Sequence, residues 1–356
     1  MQEKKNYVGI DLSKRNLIAV RILSDGRLQW FRSKTNAIGR EKLLNWLKYN
    51  DLVGLETGNL AFFLAKEIIN ELGVKVIVLN AGDVAVIYRS LKKTDKEDSL
   101  KIARLLQRHP LNELPSVRIP DAYEEHARQL LSEHNYWTTS KTRAINRLHS
   151  ILCNAGLTTV TKKDIKNSET RLKIIKGLNE STKKIAMRIE SEIVLTKSML
   201  EKIEVETQEH ISKKNELAKI IMSIPGIGLI TTLAILGYLG DPGRFSSEKQ
   251  VSYFVGLVPR IDNSGDTERM GRIIKRGCRH IRRTIIQCAW ALVRSKYGGD
   301  LKIKFEKIKS RRGSGKAIVA VARKLIERVY HLLRKQELYK YMPEEFIIKK
   351  MAFYKI

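Results

Sequence analysis

The alternation of apolar and polar positions divides the chain into three stretches of different character. In the first, short apolar runs end on acidic or turn residues. "YVGIDLS" is followed by "KRNLIAVRIL", rich in Val and Ile, with "SDGR" as a turn signal after it. "LQWFRSKTN" reads as a third strand, "LVGLETG" as a buried strand ending in a carboxylate, and "VKVIVLNAGDV" as another strand. Between them, "REKLLNWLKYN" has helical spacing at Leu43, Leu44 and Leu47, and "NLAFFLAKEIINELG" is helical up to Gly73. A further helix runs through "KKTDKEDSLKIARLL", residues 92–106. Strands alternating with helices predict an α/β domain over residues 1–112.

The second stretch, 113–219, follows a linker punctuated by Pro110, Pro115 and Pro120. It opens with a long helical pattern ended by Gly156. From Thr182 to Leu217 there is neither Gly nor Pro, and Ile185, Ile189, Ile193, Thr196, Leu200, Ile203, Thr207 and Ile211 recur every three or four residues. A single apolar stripe on a long charged helix predicts an antiparallel arm or a coiled-coil dimer seam; a helix lying on its own domain is the alternative. The third stretch, 220–356, begins "IIMSIPGIGLITTLAILGYLG", passes through a Gly- and Arg-rich segment and ends helical. The predicted whole is α/β plus all-α.

Charge changes this picture. The formal net charge is +29, distributed as +8 over 1–110, +4 over 111–219 and +17 over 220–356. A soluble core does not need such an excess, and self-repulsion makes it costly unless an anionic partner screens it. Nucleic acid is the leading partner, ahead of a merely basic surface. Cys153, Cys278 and Cys288 have no metal-ligand spacing and form no even framework, which points to a reducing, cytoplasmic compartment. The start "MQEKKNYVGIDL" lacks a signal-peptide apolar region, and no run reaches the length of a membrane span.

Three constellations could carry chemistry. Asp11 and Glu56 lie at or near predicted strand ends, and Asp95 and Asp98 share a helix face as i and i+3. If these elements are neighbours, the four carboxylates need divalent cations to offset their repulsion, and oxygen donors suit Mg²⁺ or Mn²⁺. For Asp95 and Asp98 alone, charges favoured by the helix dipole explain the pattern equally well. The second constellation is "IPGIG", read as the hairpin of a helix–hairpin–helix in which Gly226 and Gly228 let the backbone approach a phosphate; a tight turn without a ligand is the plain reading. The third is "RIDNSGDTERMGRIIKRGCRHIRR", with Ser264 before Gly265 and with Arg260, Arg269, Arg272, Lys275, Arg276, Arg279, Arg282 and Arg283 around it. A serine hydroxyl can attack a phosphodiester if a base or metal activates it and cations hold the phosphate, although Ser-Gly is usually a turn. Two motifs are discounted. "RRGSGKAI" lacks the spacer and the Ser/Thr of a phosphate loop, and "GIDLS" lacks the second glycine of the actin-type loop.

At these residues the chain resembles the DEDD transposases of insertion sequence family 110, relatives of the Piv-type DNA invertases. "YVGIDLSKRN", "GLETG", "KTDKEDSLKIARLL", "INRLHSILCNAG" and the segment from "SIPGIG" to "RHIRRTI" carry the likeness in order and spacing. The resemblance implies a RuvC/RNase H-like domain with Asp11, Glu56, Asp95 and Asp98 as Mg²⁺ (or Mn²⁺) ligands. It also implies a serine nucleophile in an S-S-G motif, which here reads Asn263-Ser264-Gly265, so that Ser264 is the retained serine; Ser99 stands where the family commonly has Ala. It further implies donor and target DNA and a structured bridge RNA as partners, dimers assembling into tetramers with the helical arm at the seam, and a bacterial or archaeal, nucleoid-associated protein. The implied function is a transposase or site-specific recombinase. A RuvC-like nuclease without a covalent intermediate and a non-catalytic nucleic-acid binder are the competing readings. Lys92, Lys93 and Lys96, beside the acidic pair, are expected to hold the phosphate backbone.

Overall fold

In the computed structural model, residues 5–87, 94–264, 267–274 and 276–356 are described, with the backbone course alone for 85–87, 261–264 and 267–270. The chain divides into two compact units, 1–121 and 122–356.

The first unit contains β1 (Asn6–Leu12), β2 (Asn16–Ile22), β3 (Leu28–Lys34), α1 (Ala37–Trp46), β4 (Asp51–Glu56), α2 (Ala61–Leu72), β5 (Lys75–Leu79), α3 (Ala81–Ile87), α4 (Asp95–Arg108) and the short β6 (Ser116–Val117). Its sheet runs β3-β2-β1-β4-β5-β6. β1, β4 and β5 are parallel, while β2, β3 and β6 pair antiparallel. Strand alternation sorts the side chains between two faces. One face buries Val8, Ile10, Leu17, Ala19, Val53 and Leu55 against Leu43 of α1 and Leu64, Ala65 and Ile68 of α2. On that face Arg21 and Asp51 form a buried ion pair at 2.7 Å. Asn6 also donates to Asp51, and the Trp46 ring lies 4.0 Å from the guanidinium. The other face buries Val20 and Ile22 against Leu100 and Ala103 of α4.

α4 lies directly on the sheet because two glycines meet it. Gly9 and Gly54 are register partners on β1 and β4. A Cβ on Gly9 would sit 2.0 Å from the Ser99 carbonyl oxygen and 2.5 Å from the Ala103 nitrogen. A Cβ on Gly54 would sit 2.8 Å from the Ile102 and Leu106 side chains. Ser99 itself is fully buried and donates its hydroxyl to the Lys96 carbonyl, so a small residue is what this contact requires.

The second unit is nearly all helical: α5 (Ala122–Asn154), α6 (Lys162–Lys166), α7 (Ser168–Lys176), α8 (Glu180–Ser212), α9 (Asn215–Met222), α10 (Leu229–Ala234), α11 (Glu248–Val255), α12 (Arg279–Arg294), α13 (Gly299–Arg312), α14 (Ser314–Lys335) and α15 (Glu344–Phe353). A hairpin, β7 (Pro259–Ser264) and β8 (Thr267–Ile273), interrupts it. α5 and α8 pack antiparallel: His126 faces His210 at one end, and Leu148 and Leu152 share a core with Ile189 at the other. The apolar stripe is used here. Ile189, Ile193, Thr196, Ile203, Thr207 and Ile211 are buried, whereas Ile185 is 42% exposed. These stripe residues are therefore covered inside the chain, and a seam between copies would need other positions. α6 and α7 cap the far end, where Arg171 and Glu190 form a buried pair and Arg171 also donates to the Ile165 carbonyl at 2.7 Å. α14 runs through the main core with Val321, Leu325 and Val329. The discounted "RRGSGKAI" is a junction at Gly313 (φ 78°) between α13 and α14, with no strand before it.

Candidate active site

The sheet register places two of the four expected carboxylates side by side. Ile10 pairs with Leu55, so Asp11 and Glu56 follow as neighbours on the central parallel strands β1 and β4. Gly9 and Asp11 point to one face, as do Gly54 and Glu56, and that is the face on which α4 lies. Thr94 begins α4 by accepting from the Glu97 N–H at 3.2 Å, which puts Asp95 and Asp98 in its first turn. The residues are helix-start acids favoured by the dipole, and they also face a third carboxylate.

Asp11 reports that proximity. Its carboxyl is pushed above its ordinary 3.8, first by burial and then by the negative charges of Asp95 and Asp98, with the Leu12 N–H pulling the other way. Lys101 provides a cation within the chain, its ammonium 2.7 Å from the Asp98 carboxylate. Sequence reasoning missed Lys101, although its i+3 spacing from Asp98 on one helix face was visible. Among the described residues, no three His, Cys, Asp or Glu side chains are gathered closely enough to hold a metal as they stand. The chemistry of the donor set nevertheless fits a hard cation: oxygen ligands alone, and an Asp11 carboxyl raised by burial and by the charges of Asp95 and Asp98, a repulsion that a divalent ion would offset.

In the second unit, Ser264 ends β7 and pairs with Thr267, the last pair before the hairpin turn, and Asp262 pairs with Arg269. The Ser264 and Arg269 side chains, and Lys92, Lys93, Gly265 and Lys275, lie outside the described residues. Arg272, Arg276, Arg279 and Arg283 are exposed. Arg282 works within the fold, donating to the Val255 and Arg276 carbonyls at 2.9 and 3.3 Å. Arg279, Arg283 and His280 line a cleft of about 350 Å³ whose other wall is Asn135, Thr138 and Thr139 of α5. Gly226 takes φ 83°, and a Cβ there would meet Ala291 at 2.7 Å, so this glycine seats the "IPGIG" turn on α12. Gly228 stands at the start of α10, against the Tyr354 hydroxyl.

Fold and site together define a mixed α/β domain that sets Asp11 beside Glu56 near the helix start carrying Asp95 and Asp98, followed by a basic helical unit. A family model for the DEDD transposases of the IS110 group, described as "Transposase", matches residues 8–157. A second, "Transposase IS116/IS110/IS902 family", matches residues 218–302. The chain is 30% identical over 260 residues to the transposase for insertion sequence element IS1111A of Coxiella burnetii, covering 71% of this chain and 70% of that protein. It is 25% identical over 351 residues to the pilin gene-inverting protein of Moraxella bovis, covering 93% and 96%. The chain belongs to the IS110 family of transposases, enzymes that cut and rejoin DNA. The matched DEDD domain implies the RuvC-like fold, and such domains typically use a divalent metal. No helix among the described residues is long and apolar enough to cross a membrane.

Proposed function

We propose that the protein moves an insertion sequence by cutting and rejoining DNA strands, with Asp11, Glu56, Asp95 and Asp98 as the divalent-metal site and Ser264 as the nucleophile. The observation that carries this reading is the register of Asp11 beside Glu56, near a helix start whose two aspartates add to burial in raising the Asp11 carboxyl. A Mg²⁺ or Mn²⁺ ion bound there supplies Lewis-acid polarisation of the phosphoryl group. Asp11, Glu56, Asp95 and Asp98 would hold and orient that ion, and Lys101 steadies Asp98. The Ser264 oxygen attacks phosphorus, its proton leaves to a base, the bond from phosphorus to the departing sugar oxygen breaks, and that oxygen takes up a proton. The DNA is left esterified to the serine until the new strand end reverses the step. The position of Ser264 at a hairpin tip and the family's S-S-G pattern support it as the attacking group. Gly226, Gly228, Arg269, Arg272, Lys275, Arg276, Arg279 and Arg283, with Lys92 and Lys93, are assigned to the nucleic-acid backbone, and Arg282 to the support of the hairpin base.

Guidance by a bridge RNA and assembly as dimers and tetramers belong to the same proposal. The net charge of +29, strongest in the C-terminal third, supports binding of more than one polyanion. The test incubates the protein with its element's RNA, donor and target DNA and Mg²⁺, and looks for recombinants and protein-linked DNA. Ser264→Ala should abolish the link and keep nucleic-acid binding. Hydrolytic cutting by Ser264→Ala, or by wild type without a link, would refute the covalent step in favour of a RuvC-like nuclease.

A further inference from the structure

The acidic site has a neighbour that neither the motifs nor the family likeness marks. Asp11 pairs with Ile18 across β1 and β2, and Ile18 pairs with Arg32 across β2 and β3. Directly opposed residues share a face, so Glu56, Asp11, Ile18 and Arg32 form one row across four strands. With strands about 4.8 Å apart, Arg32 stands roughly 10 Å from Asp11. Alternation adds Trp30 and Lys34 to the same face of β3, on either side of Arg32. β3 is the edge of the sheet. Arg32 and Lys34 are exposed and Trp30 is 41% exposed. Lys96, in the first turn of α4 between Asp95 and Asp98, holds its ammonium 5.5 Å from the Trp30 ring centre. A row of cations around an open indole thus leads to the carboxylates.

Edge protection accounts for only half of this. Charged side chains on an edge strand discourage pairing with another chain, but an exposed tryptophan beside them does the reverse. Cations that track a backbone and an aromatic face that accepts a base are together what a single nucleic-acid strand requires.

We propose that the exposed face of β3 is a rail for a single nucleic-acid strand, the DNA strand on which the carboxylates act, with Trp30 stacking a base and Arg32 and Lys34 holding phosphates. This rests on the DNA-cutting reading above. It assigns the rail to substrate positioning, and no bond is made or broken there.

The test uses the full chain carrying Asp11→Asn, so that DNA is bound without being cut, and follows the anisotropy of labelled single-stranded DNA, or RNA of the same sequence, across a salt series. Arg32→Gln/Lys34→Gln should lower the slope of log affinity against log salt by about 1.4, from two single-strand phosphate contacts. Trp30→Leu should weaken DNA binding about tenfold with the slope unchanged, and Trp30→Phe should restore most of it. These residues are exposed, so melting temperatures should stay near that of the parent. Unchanged affinity and slope, equal losses in Trp30→Leu and Trp30→Phe, or losses confined to RNA would each overturn the rail. A parent protein that binds no DNA would overturn the DNA-cutting reading itself.

Discussion

Gly9→Ala tests the contact that builds the acidic site. The added carbon would stand 2.0 Å from the Ser99 carbonyl oxygen, about 1.3 Å inside an ordinary carbon–oxygen approach of about 3.3 Å. Both atoms it meets, the Ser99 oxygen and the Ala103 nitrogen, are backbone of α4, so no side chain can rotate out of the way. Overpacking of this kind costs about 3 kcal/mol, and loss of a strand glycine returns about 0.5–1 kcal/mol, leaving about 2 kcal/mol. For a unit of this size the melting temperature should fall by roughly 6–8 °C. α4 must lift by about 1 Å and carry Asp95 and Asp98 with it, a misplacement that can lower the rate about 100-fold. Gly54→Ala should be milder, because it meets side-chain atoms of Ile102 and Leu106 and no backbone, and Gly315→Ala, with nothing within 4 Å, serves as the control. Calorimetry and single-turnover strand cutting in Mg²⁺ read the series. A Gly9→Ala protein that melts within 2 °C of wild type and cuts at the wild-type rate would refute the placement of α4 on β1.

Asp11→Asn should raise the melting temperature near pH 7 without divalent ions and abolish cutting. A carboxyl raised above 3.8 favours folding only at low pH, and that contribution is lost as pH rises through the raised value. Mg²⁺ should stabilise wild type more than this variant, and thermal shifts with and without Mg²⁺ check both statements. Glu327 behaves oppositely: burial raises its carboxyl, but Lys324, Ser252 and Arg323 outweigh burial and bring it below 4.5. Its stabilisation is present at neutral pH and is lost as pH falls through the lowered value, so Glu327→Gln should be less stable at pH 7 and show a flatter acid limb in urea titrations. Arg21→Leu leaves the buried Asp51 without its partner and should cost about 3–5 kcal/mol, read by chemical denaturation.

Much of the first unit was legible along the chain. Strands that end at or next to Asp11 and Glu56, and the helix carrying Asp95 and Asp98, follow from apolar runs and turn residues, all of them local properties. The long helices α5 and α8 were legible for the same reason, since Gly156 and an unbroken 3.6-residue period are written into the segment itself. Local pattern could not say what the α8 stripe faces. An apolar stripe needs a partner surface, and a second copy offers the same chemistry as the chain's own α5; only the packed chain shows α5 on it.

Composition and spacing by themselves determined that this chain is basic, mixed α/β followed by helical, and carries four carboxylates in a fixed order and a Ser264-Gly265 pair among arginines. Tertiary structure alone decided that Asp11 and Glu56 are neighbours, because pairing register is a property of two strands and not of either one. It also decided that Gly9 and Gly54 meet α4, and that Arg32 falls in one row with Asp11 and Glu56, with Trp30 and Lys34 beside it on the same face of β3. In each case the partner lies on another element or another turn, at a distance that sequence separation does not encode.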